Sequence, residues 1–273
     1  MRQPPASART PVVVSVPHYG TEPLPGIESA DYCEPSFATF AYGFADAFAA
    51  DVYGDLHAHG ATLIATPFSR MFVDVNRRRD DFEERDGAVR SRRGVVRTHT
   101  MRDVPIFARP LRTTELEQRL SAFYDPYYAV LARVLDEMRQ ARGYAILLDG
   151  HTGSPRRMKD HEVIIGTCHD ATCQPNLAAA VADVFARHGF AVHDNVSGYT
   201  GGNVVATFGR PHTRVHALQL EINAGLLMMT TGEEFIAQVR RGERQGQNAA
   251  NVARVRACLR DVLGALPSVL ATE

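Results

Sequence analysis

Polar residues with the chemistry of a zinc hydrolase occur in four short segments of this 273-residue sequence. They are, in chain order, Pro17-His18-Tyr19-Gly20, Ser69-Arg70 with Asp74-Val75-Asn76-Arg77, Asp149-Gly150-His151-Thr152, and Gln219-Leu220-Glu221-Ile222-Asn223. Each segment alone is a weak signal. A catalytic zinc, however, needs histidine and carboxylate ligands with a base nearby, and the four segments together supply these residue types.

Apolar, strand-like runs position three of the four segments. Residues 12–16 come just before the first segment, residues 145–148 come before the third, and residues 215–220 lead into the fourth. Open α/β sheets bind their ligands where strands end. We therefore expect these polar residues to share one site.

His18 and His151 are the candidate zinc ligands, because each follows a strand and has glycine close by. A third ligand could be Glu22, four residues after His18, or Asp46, which interrupts an otherwise apolar helical pattern. Glu221 ends an almost wholly apolar strand, where an unpaired carboxylate is costly. Beside water activated by zinc, Glu221 would act as the general base.

Arg70, Asn76 and Arg77 form a cluster of hydrogen-bond donors suited to an anionic substrate. Arginine binds a carboxylate through two parallel hydrogen bonds, and asparagine adds a neutral donor. We expect Arg70 to stabilise the oxyanion that forms during hydrolysis, and Asn76 and Arg77 to hold a substrate carboxylate. Asp74 is expected to support this cluster rather than to react.

The composition is that of an ordinary globular protein, with 45% apolar residues, 22% charged residues and a net charge of −1. No membrane span is expected, because no apolar run reaches roughly 18 residues. Residues 1–10 are expected to be flexible and lack a signal-peptide pattern. Four cysteines without C-x-x-C spacing favour a reduced, cytoplasmic protein. The sequence does not predict an oligomeric state.

Residues 77–102 contain nine arginines and five acidic residues. This stretch is typical of a solvated loop with local ion pairs, and a loop of this kind beside a site could also contact an anionic substrate. Nucleic-acid binding is disfavoured, since the net charge is balanced and aromatic residues are not interleaved with the arginines.

The hydrophobic periodicity predicts alternating strands and helices. Strands are predicted at residues 12–16, 61–66, 71–75, 144–148, 190–193, 204–208 and 215–222, and helices at 37–59, 113–142, 177–188, 232–241 and 247–266. The helix over 113–142 should be interrupted near Asp125-Pro126. This alternation favours an α/β fold, in one domain over residues 1–273, with a mixed, mainly parallel sheet and helices on both faces.

Five motifs resemble those of the N-formylglutamate amidohydrolase family. They lie in order at residues 16–21, 69–77, 148–152, 195–202 and 219–223, and the similarity extends from about residue 11 to residue 230. The Asp-x-Asn-Arg element at residues 74–77 is also similar to the zinc carboxypeptidases, whose fold the family shares.

The resemblance implies hydrolysis of N-formyl-L-glutamate to formate and glutamate, in histidine breakdown. It also implies a zinc held by His18, Asp46 and His151, with Glu221 as the base. The distance of Asp46 from Gly60 along the chain matches the family's acidic position, which favours Asp46 over Glu22.

A glutamate substrate carries a second carboxylate, which needs another cation. Arg156 is the candidate, together with Arg157 and the arginines of residues 77–102. Tyr199, in a glycine-flanked loop, could close over the substrate. Two alternatives stay open: a deacylase of another N-acyl amino acid, such as a succinyl or acetyl derivative, and a non-catalytic carboxylate-binding relative. The second is disfavoured, because a binding protein has no use for a general base beside zinc.

Overall fold

The computed structural model describes residues 1–2, 9–243 and 245–271 and is built around a six-stranded sheet. The strands are β1 (Val12–Val16), β2 (Thr62–Ala65), β3 (Glu83–Arg85), β4 (Ala88–Arg90), β5 (Ala145–Gly153), β6 (Val163–Gly166), β7 (Val192–Asp194) and β8 (Val215–Asn223). The helices are α1 (Phe40–Gly43), α2 (Ala49–Tyr53), α3 (Thr113–Arg119), α4 (Asp125–Arg142), α5 (Pro155–Met158), α6 (Pro175–Arg187), α7 (Asn203–Phe208), α8 (Gly232–Arg240) and α9 (Ala249–Ala271). The flexibility predicted for residues 1–10 falls mainly on residues 3–8, which lie outside the described residues.

The sheet is mixed and mainly parallel, as the sequence predicts. Its strand order is β2-β1-β5-β8-β6-β7, and β3 and β4 form a separate hairpin. Strands β2, β1, β5 and β8 are parallel to one another, whereas β6 runs antiparallel to β8 and carries β7 parallel to itself. The polar ends of β1, β5 and β8 consequently lie at the same edge of the sheet.

Helices cover both faces of the sheet and bury two apolar cores. One face packs against α2, α6 and α9, and the other against α3, α4 and α7. Side chains alternate along each strand, so that Ile146 and Leu148 enter the first core while Leu147 enters the second. Asp149 and His151 therefore follow Leu147 on the second face. At the C-terminal end of β5, polar side chains therefore replace apolar ones on the second face of the sheet.

The helix predicted over residues 37–59 is wrong, because the chain breaks into short turns of helix there. A 3₁₀ turn at Pro35–Thr39 leads into α1, residues 45–48 are not helical, and a second 3₁₀ turn follows α2 at Leu56–His59. Phe48 has a left-handed backbone with φ of 61°. Phe37 packs in one core and Val52 in the other, so the chain crosses the edge of the sheet between them.

Two predicted strands are also wrong. Residues 71–75 form turns, and residues 204–208 belong to helix α7. Strand β6 and the β3–β4 hairpin were not predicted. The long helix over 113–142 is confirmed, and its interruption is a π-helical turn at Leu120–Tyr124, directly before Asp125.

Among the described residues, none of the helices combines the length and the apolar character that crossing a membrane requires.

Candidate active site

The ends of strands β1, β5 and β8 bring the predicted polar residues to one place. His18 follows β1, and His151 in β5 pairs with Glu221 in β8. The non-helical residues 45–48 cross the same edge, where the backbone N–H of Asp46 donates to the carbonyl of His18 at 2.9 Å. Thr152 Oγ1 donates to the carbonyl of residue 47 at 2.7 Å and fixes the crossing segment against β5.

Three potential ligand atoms face one another in this site. His18 Nδ1 lies 3.1 Å from His151 Nδ1, which lies 2.9 Å from Asp46 Oδ2. The third distance, from His18 Nδ1 to Asp46 Oδ2, is 3.7 Å. Both histidines are buried, and Asp46 is nearly so. Glu22, the alternative third ligand, is exposed and does not belong to this cluster.

Carboxylates fix the orientation of both imidazole rings. His18 Nε2 lies 2.8 Å from Asp74 Oδ1, and His151 Nε2 lies 3.0 Å from Asp149 Oδ2. Since an ionised carboxylate only accepts, each Nε2 carries the proton that it donates. Arg70 Nη1 lies 3.0 Å from His18 Nδ1, and because a guanidinium only donates, this Nδ1 is an acceptor with a lone pair.

This donor set fits a divalent metal. Two imidazole nitrogens and a carboxylate oxygen within hydrogen-bonding distance repel one another unless a proton or a cation lies between them. Zinc accepts such nitrogen and oxygen ligands, and carboxylate-bound Nε2 atoms are the usual support for metal-binding histidines. His18, Asp46 and His151 therefore form a possible metal-binding triad.

In the metal-free protein a proton takes the place of the cation. Burial lowers the pKa of His151, but the charges of Asp149 and Glu221 and the hydrogen bonds to Asp149 and Asp46 raise it well above its ordinary value. Burial raises the pKa of Asp46, yet the two histidines lower it well below its usual range. Both shifts favour an ionised Asp46 beside a protonated His151 when no cation lies between them.

Glu221 differs from the other carboxylates of the site. Burial raises its pKa to about 7, with Asp46 and Asp149 adding to the rise and His151 opposing it. Gln219 Nε2 donates to Glu221 Oε1 at 2.8 Å and orients the carboxyl group. A carboxyl group that titrates near neutral pH can both accept and return a proton during a reaction.

The predicted donor cluster surrounds the buried carboxylate of Asp74. Arg70 binds Asp74 Oδ2 through Nε at 2.8 Å and through Nη2 at 2.6 Å, as Asp74's predicted supporting role requires. The Arg77 side chain is 42% exposed, and its Nε lies 3.8 Å from the same oxygen without a hydrogen bond. Within the described part of the chain, the Arg77 side chain forms this long ion pair and donates no hydrogen bond.

Asn76 is engaged with the protein itself. Its Nδ2 lies 3.1 Å from both Asp149 Oδ2 and His151 Nε2, and its Oδ1 accepts from the backbone N–H of Val204 at 2.9 Å. Because His151 Nε2 donates its own proton to Asp149, the Asn76 amide N–H donates to Asp149 and not to the ring. In this structure Asn76 connects the histidine support to the start of α7.

Tyr199 and Arg156 lie further from the triad. Tyr199 is half-buried, and burial together with the charge of Glu221 raises its pKa. Arg156 is exposed on α5, and among the described residues its side chain forms no ion pair.

The sequence assigns no role to Asp149, and it includes Arg97 only as one of the nine arginines of residues 77–102 that could bind the second carboxylate. Asp149 lies two residues before His151 in a strand, so both side chains point to the same face, and this spacing could have indicated the pairing. Arg97 is the buried member of the arginine-rich stretch at residues 77–102. Its burial has no signature in the local sequence.

Fold and site together define an α/β protein with a candidate metal centre at the ends of its central strands. The N-formylglutamate amidohydrolase family matches residues 10–228, and the chain belongs to that family. The resemblance seen in the motifs is thereby confirmed.

Known relatives agree with this assignment. An N-formylglutamate deformylase from Pseudomonas putida is 28% identical over 234 residues, which cover 82% of this chain and 84% of the relative. The deformylase from Pseudomonas aeruginosa is 28% identical over 228 residues, covering 78% and 80%. The crystal structure of an N-formylglutamate amidohydrolase from Ralstonia eutropha JMP134 shares the fold, with a TM-score of 0.76, 23% identity and coverage of 98% and 97%. A gene product of Agrobacterium tumefaciens gives a TM-score of 0.61, with 19% identity and coverage of 98% and 93%.

Proposed function

We propose that this protein is a zinc-dependent N-formylglutamate deformylase, which hydrolyses N-formyl-L-glutamate to formate and L-glutamate in histidine degradation. The observation that carries the proposal is the convergence of His18 Nδ1, His151 Nδ1 and Asp46 Oδ2 beside the buried Glu221. Family membership and the names of the two Pseudomonas relatives support the choice of substrate.

His18, Asp46 and His151 would hold the zinc. When bound, zinc supplies a Lewis acid and lowers the pKa of the water that it coordinates. Asp74 and Asp149 keep the two Nε2 protons in place, so both Nδ1 lone pairs stay directed at the metal position.

Glu221 moves the proton. It accepts a proton from the attacking water and returns it to the amide nitrogen of the leaving glutamate, which balances the hydrolysis. A pKa of about 7 suits both proton transfers, because near neutral pH Glu221 can accept a proton and can also give it back. Gln219 holds one carboxyl oxygen and leaves the other for the proton.

Arg70 and Arg77 bind the negative charges of the substrate and of the reaction intermediate. Arg70, beside His18 Nδ1, stabilises the oxyanion that develops on the formyl oxygen. Arg77, with its unpaired donors, binds the α-carboxylate, and Asn76 joins it if its amide turns from Asp149 toward the substrate. Tyr199 closes over the bound substrate, and Arg156 remains a candidate for the second carboxylate.

The proposal treats residues 1–273 as one catalytic domain that acts in the cytoplasm on a small anionic substrate, without a nucleic-acid or membrane partner. The near-zero net charge and the scattered cysteines support this.

Product release from matched substrates tests the function. Zinc-loaded protein is assayed with N-formyl-, N-acetyl- and N-succinyl-L-glutamate. We expect the formyl compound to give the highest kcat/KM, and Glu221→Gln to keep zinc while kcat falls by roughly 10² or more. Faster release of acetate or succinate would favour the deacylase alternative. No release from any of the three would favour a binding protein.

A further inference from the structure

Arg97 is a buried cation that the proposed mechanism does not use. The residue is 8% exposed, whereas the other arginines of residues 77–102 are partly or fully exposed. Its backbone N–H donates to the carbonyl of Met71 at 2.9 Å, which fixes it beside the segment that carries Arg70. Arg97 therefore belongs to the wall of the site rather than to the solvated loop.

The guanidinium of Arg97 lacks a carboxylate partner. Its Nη1 donates to the carbonyl of Arg92 at 2.6 Å, and its Cζ lies 4.5 Å from the centre of the Phe44 ring. Its Nε is buried without a hydrogen bond, and within the described part of the chain Arg97 forms no ion pair. A buried charge is costly unless an opposite charge compensates it, so this arrangement suits a ligand that brings the missing anion.

The neighbours of Arg97 place it next to the reacting centre. Phe44, under the guanidinium, comes two residues before Asp46 in the segment that crosses the sheet edge. Burial, together with the charges of Arg70 and Arg77 and against that of Asp74, lowers the pKa of Arg97 to about 10. Arg70 and Arg77 lie 2.6 Å and 3.8 Å from Asp74. The backbone of Arg97 is hydrogen-bonded to Met71, the neighbour of Arg70, so the three arginines border one region.

We propose that Arg97 binds the second carboxylate of a dicarboxylic N-acyl amino acid and so determines the preference for an acidic side chain. This inference rests on the proposed function for the class of substrate. Arg77 binds the α-carboxylate. The side-chain carboxylate then binds the guanidinium of Arg97, which burial has already removed from water. Arg156 is a weaker partner, since water screens an exposed charge.

Paired substrates test this role. N-formyl-L-glutamine has nearly the shape of N-formyl-L-glutamate without the side-chain charge. Wild-type protein should prefer the glutamate compound in kcat/KM by about 10–100-fold, the usual effect of one charged hydrogen bond. Arg97→Met, which keeps an apolar side chain against the Phe44 ring, should remove this preference chiefly by lowering kcat/KM for the glutamate compound. Arg93→Met, at an exposed arginine of the same stretch, is the matched control and should keep the preference, whereas Arg156→Met tests the competing candidate.

A binding measurement complements the assay. Calorimetric titration of the protein with L-glutamate and L-glutamine should show tighter binding of glutamate to wild type, and no difference for Arg97→Met. Arg97→Lys retains the charge and should keep part of the preference, which provides a second variant if Arg97→Met does not fold.

The outcomes separate the two proposals. If wild type hydrolyses both formyl compounds equally, or if Arg156→Met loses the preference while Arg97→Met keeps it, Arg97 is not the specificity residue and the deformylase function stands. If wild type hydrolyses neither compound, the deformylase function fails, and the calorimetric difference between glutamate and glutamine still decides the role of Arg97.

Discussion

The imidazole rings of His18 and His151 each contact a carboxylate on the side away from the metal position. These two carboxylates, Asp74 and Asp149, determine which ring nitrogen faces the metal position. Asp149 is fully buried, and it also accepts from Ser15 Oγ at 2.7 Å and from Asn76 Nδ2. Three hydrogen bonds therefore hold the carboxylate that orients His151. The geometry of the triad depends on residues that would not touch the metal.

Asp149→Asn tests this dependence. The amide has the same shape, but it loses the charge and can offer its NH₂ group to His151 Nε2, which favours the wrong tautomer. Zinc affinity should fall by about 10–100-fold, the usual effect of losing such a partner. Competition with a chelator of known affinity measures the change. The exposed Asp51→Asn on α2 is the control, and equal zinc affinity of Asp149→Asn and wild type would show that Asp149 does not orient the ligand.

Glu221 predicts a pH effect on stability. Its pKa is raised from 4.5 to about 7 in the folded, metal-free protein, so the fold holds this proton more tightly than the unfolded chain does. Its contribution to the free energy of unfolding is therefore complete below pH 4.5 and is lost as the pH rises to about 7.

Urea unfolding of metal-free wild type and Glu221→Gln at several pH values isolates this contribution. The glutamine is neutral throughout, so the variant should gain stability relative to wild type as the pH rises. A stability difference that stays constant from about pH 5 to about pH 7 would show that burial does not perturb Glu221.

At the scale of the elements, the sequence predicts strands better than it predicts the segment that delivers the third ligand. The phenylalanines at residues 37, 40, 44 and 48 repeat at helical spacing across Gly43, where α1 ends, so the apolar pattern outweighs the single glycine that marks the break. The break arises because the two halves pack on opposite faces of the sheet. Local periodicity does not contain that information, although it does identify Asp46 as an unusual residue.

Helix α7 is a second element that the local sequence pattern does not predict. Its apolar, β-branched residues are typical of a strand, but the N–H of Val204 is capped by Asn76, which lies far away in the sequence. A tertiary hydrogen bond thus overrides local propensity. The motif that contains Asn76 does not indicate this contact, so the position of the amide between Asp149 and α7 could not be derived from the local sequence.

Gly202, directly before α7, has no side chain and so leaves room for the contact between Asn76 and Val204. A Cβ atom at Gly202 would lie 2.4 Å from the amide atoms of Asn76, so Gly202→Ala must displace Asn76 or α7. We expect a loss of roughly 1–3 kcal/mol in the free energy of unfolding, together with weaker zinc binding. Chemical denaturation and chelator competition measure the two effects.

Gly264→Ala in α9 is the matched control, because a Cβ there meets no atom within 4 Å. This variant should be about 0.5–1 kcal/mol more stable than wild type, as expected for alanine in a helix. If Gly202→Ala is as stable as wild type and binds zinc equally well, the close packing of Gly202 on Asn76 has no role in the site.

For the whole molecule, the fold class could be predicted because β1, β5 and all but the first residue of β8 are buried, and the strands begin as short apolar runs. The location of the site follows from the same runs, since polar residues gather where they end. The reversed direction of β6 and β7 could not be predicted, because strand direction depends on connections that leave no local pattern. The burial of Arg97 likewise depends on Phe44 and Met71, which approach it only in the folded chain.

The central claim is that His18, Asp46 and His151 hold the zinc on which hydrolysis depends. The most direct test is formate release from N-formyl-L-glutamate by chelator-treated protein as Zn²⁺ is added back. The rate should rise in proportion to zinc and level off at about one zinc per chain, with Glu22→Ala behaving like wild type and Asp46→Ala failing to retain zinc or activity. Full turnover by metal-free protein, or wild-type zinc retention and activity in Asp46→Ala, would contradict the account.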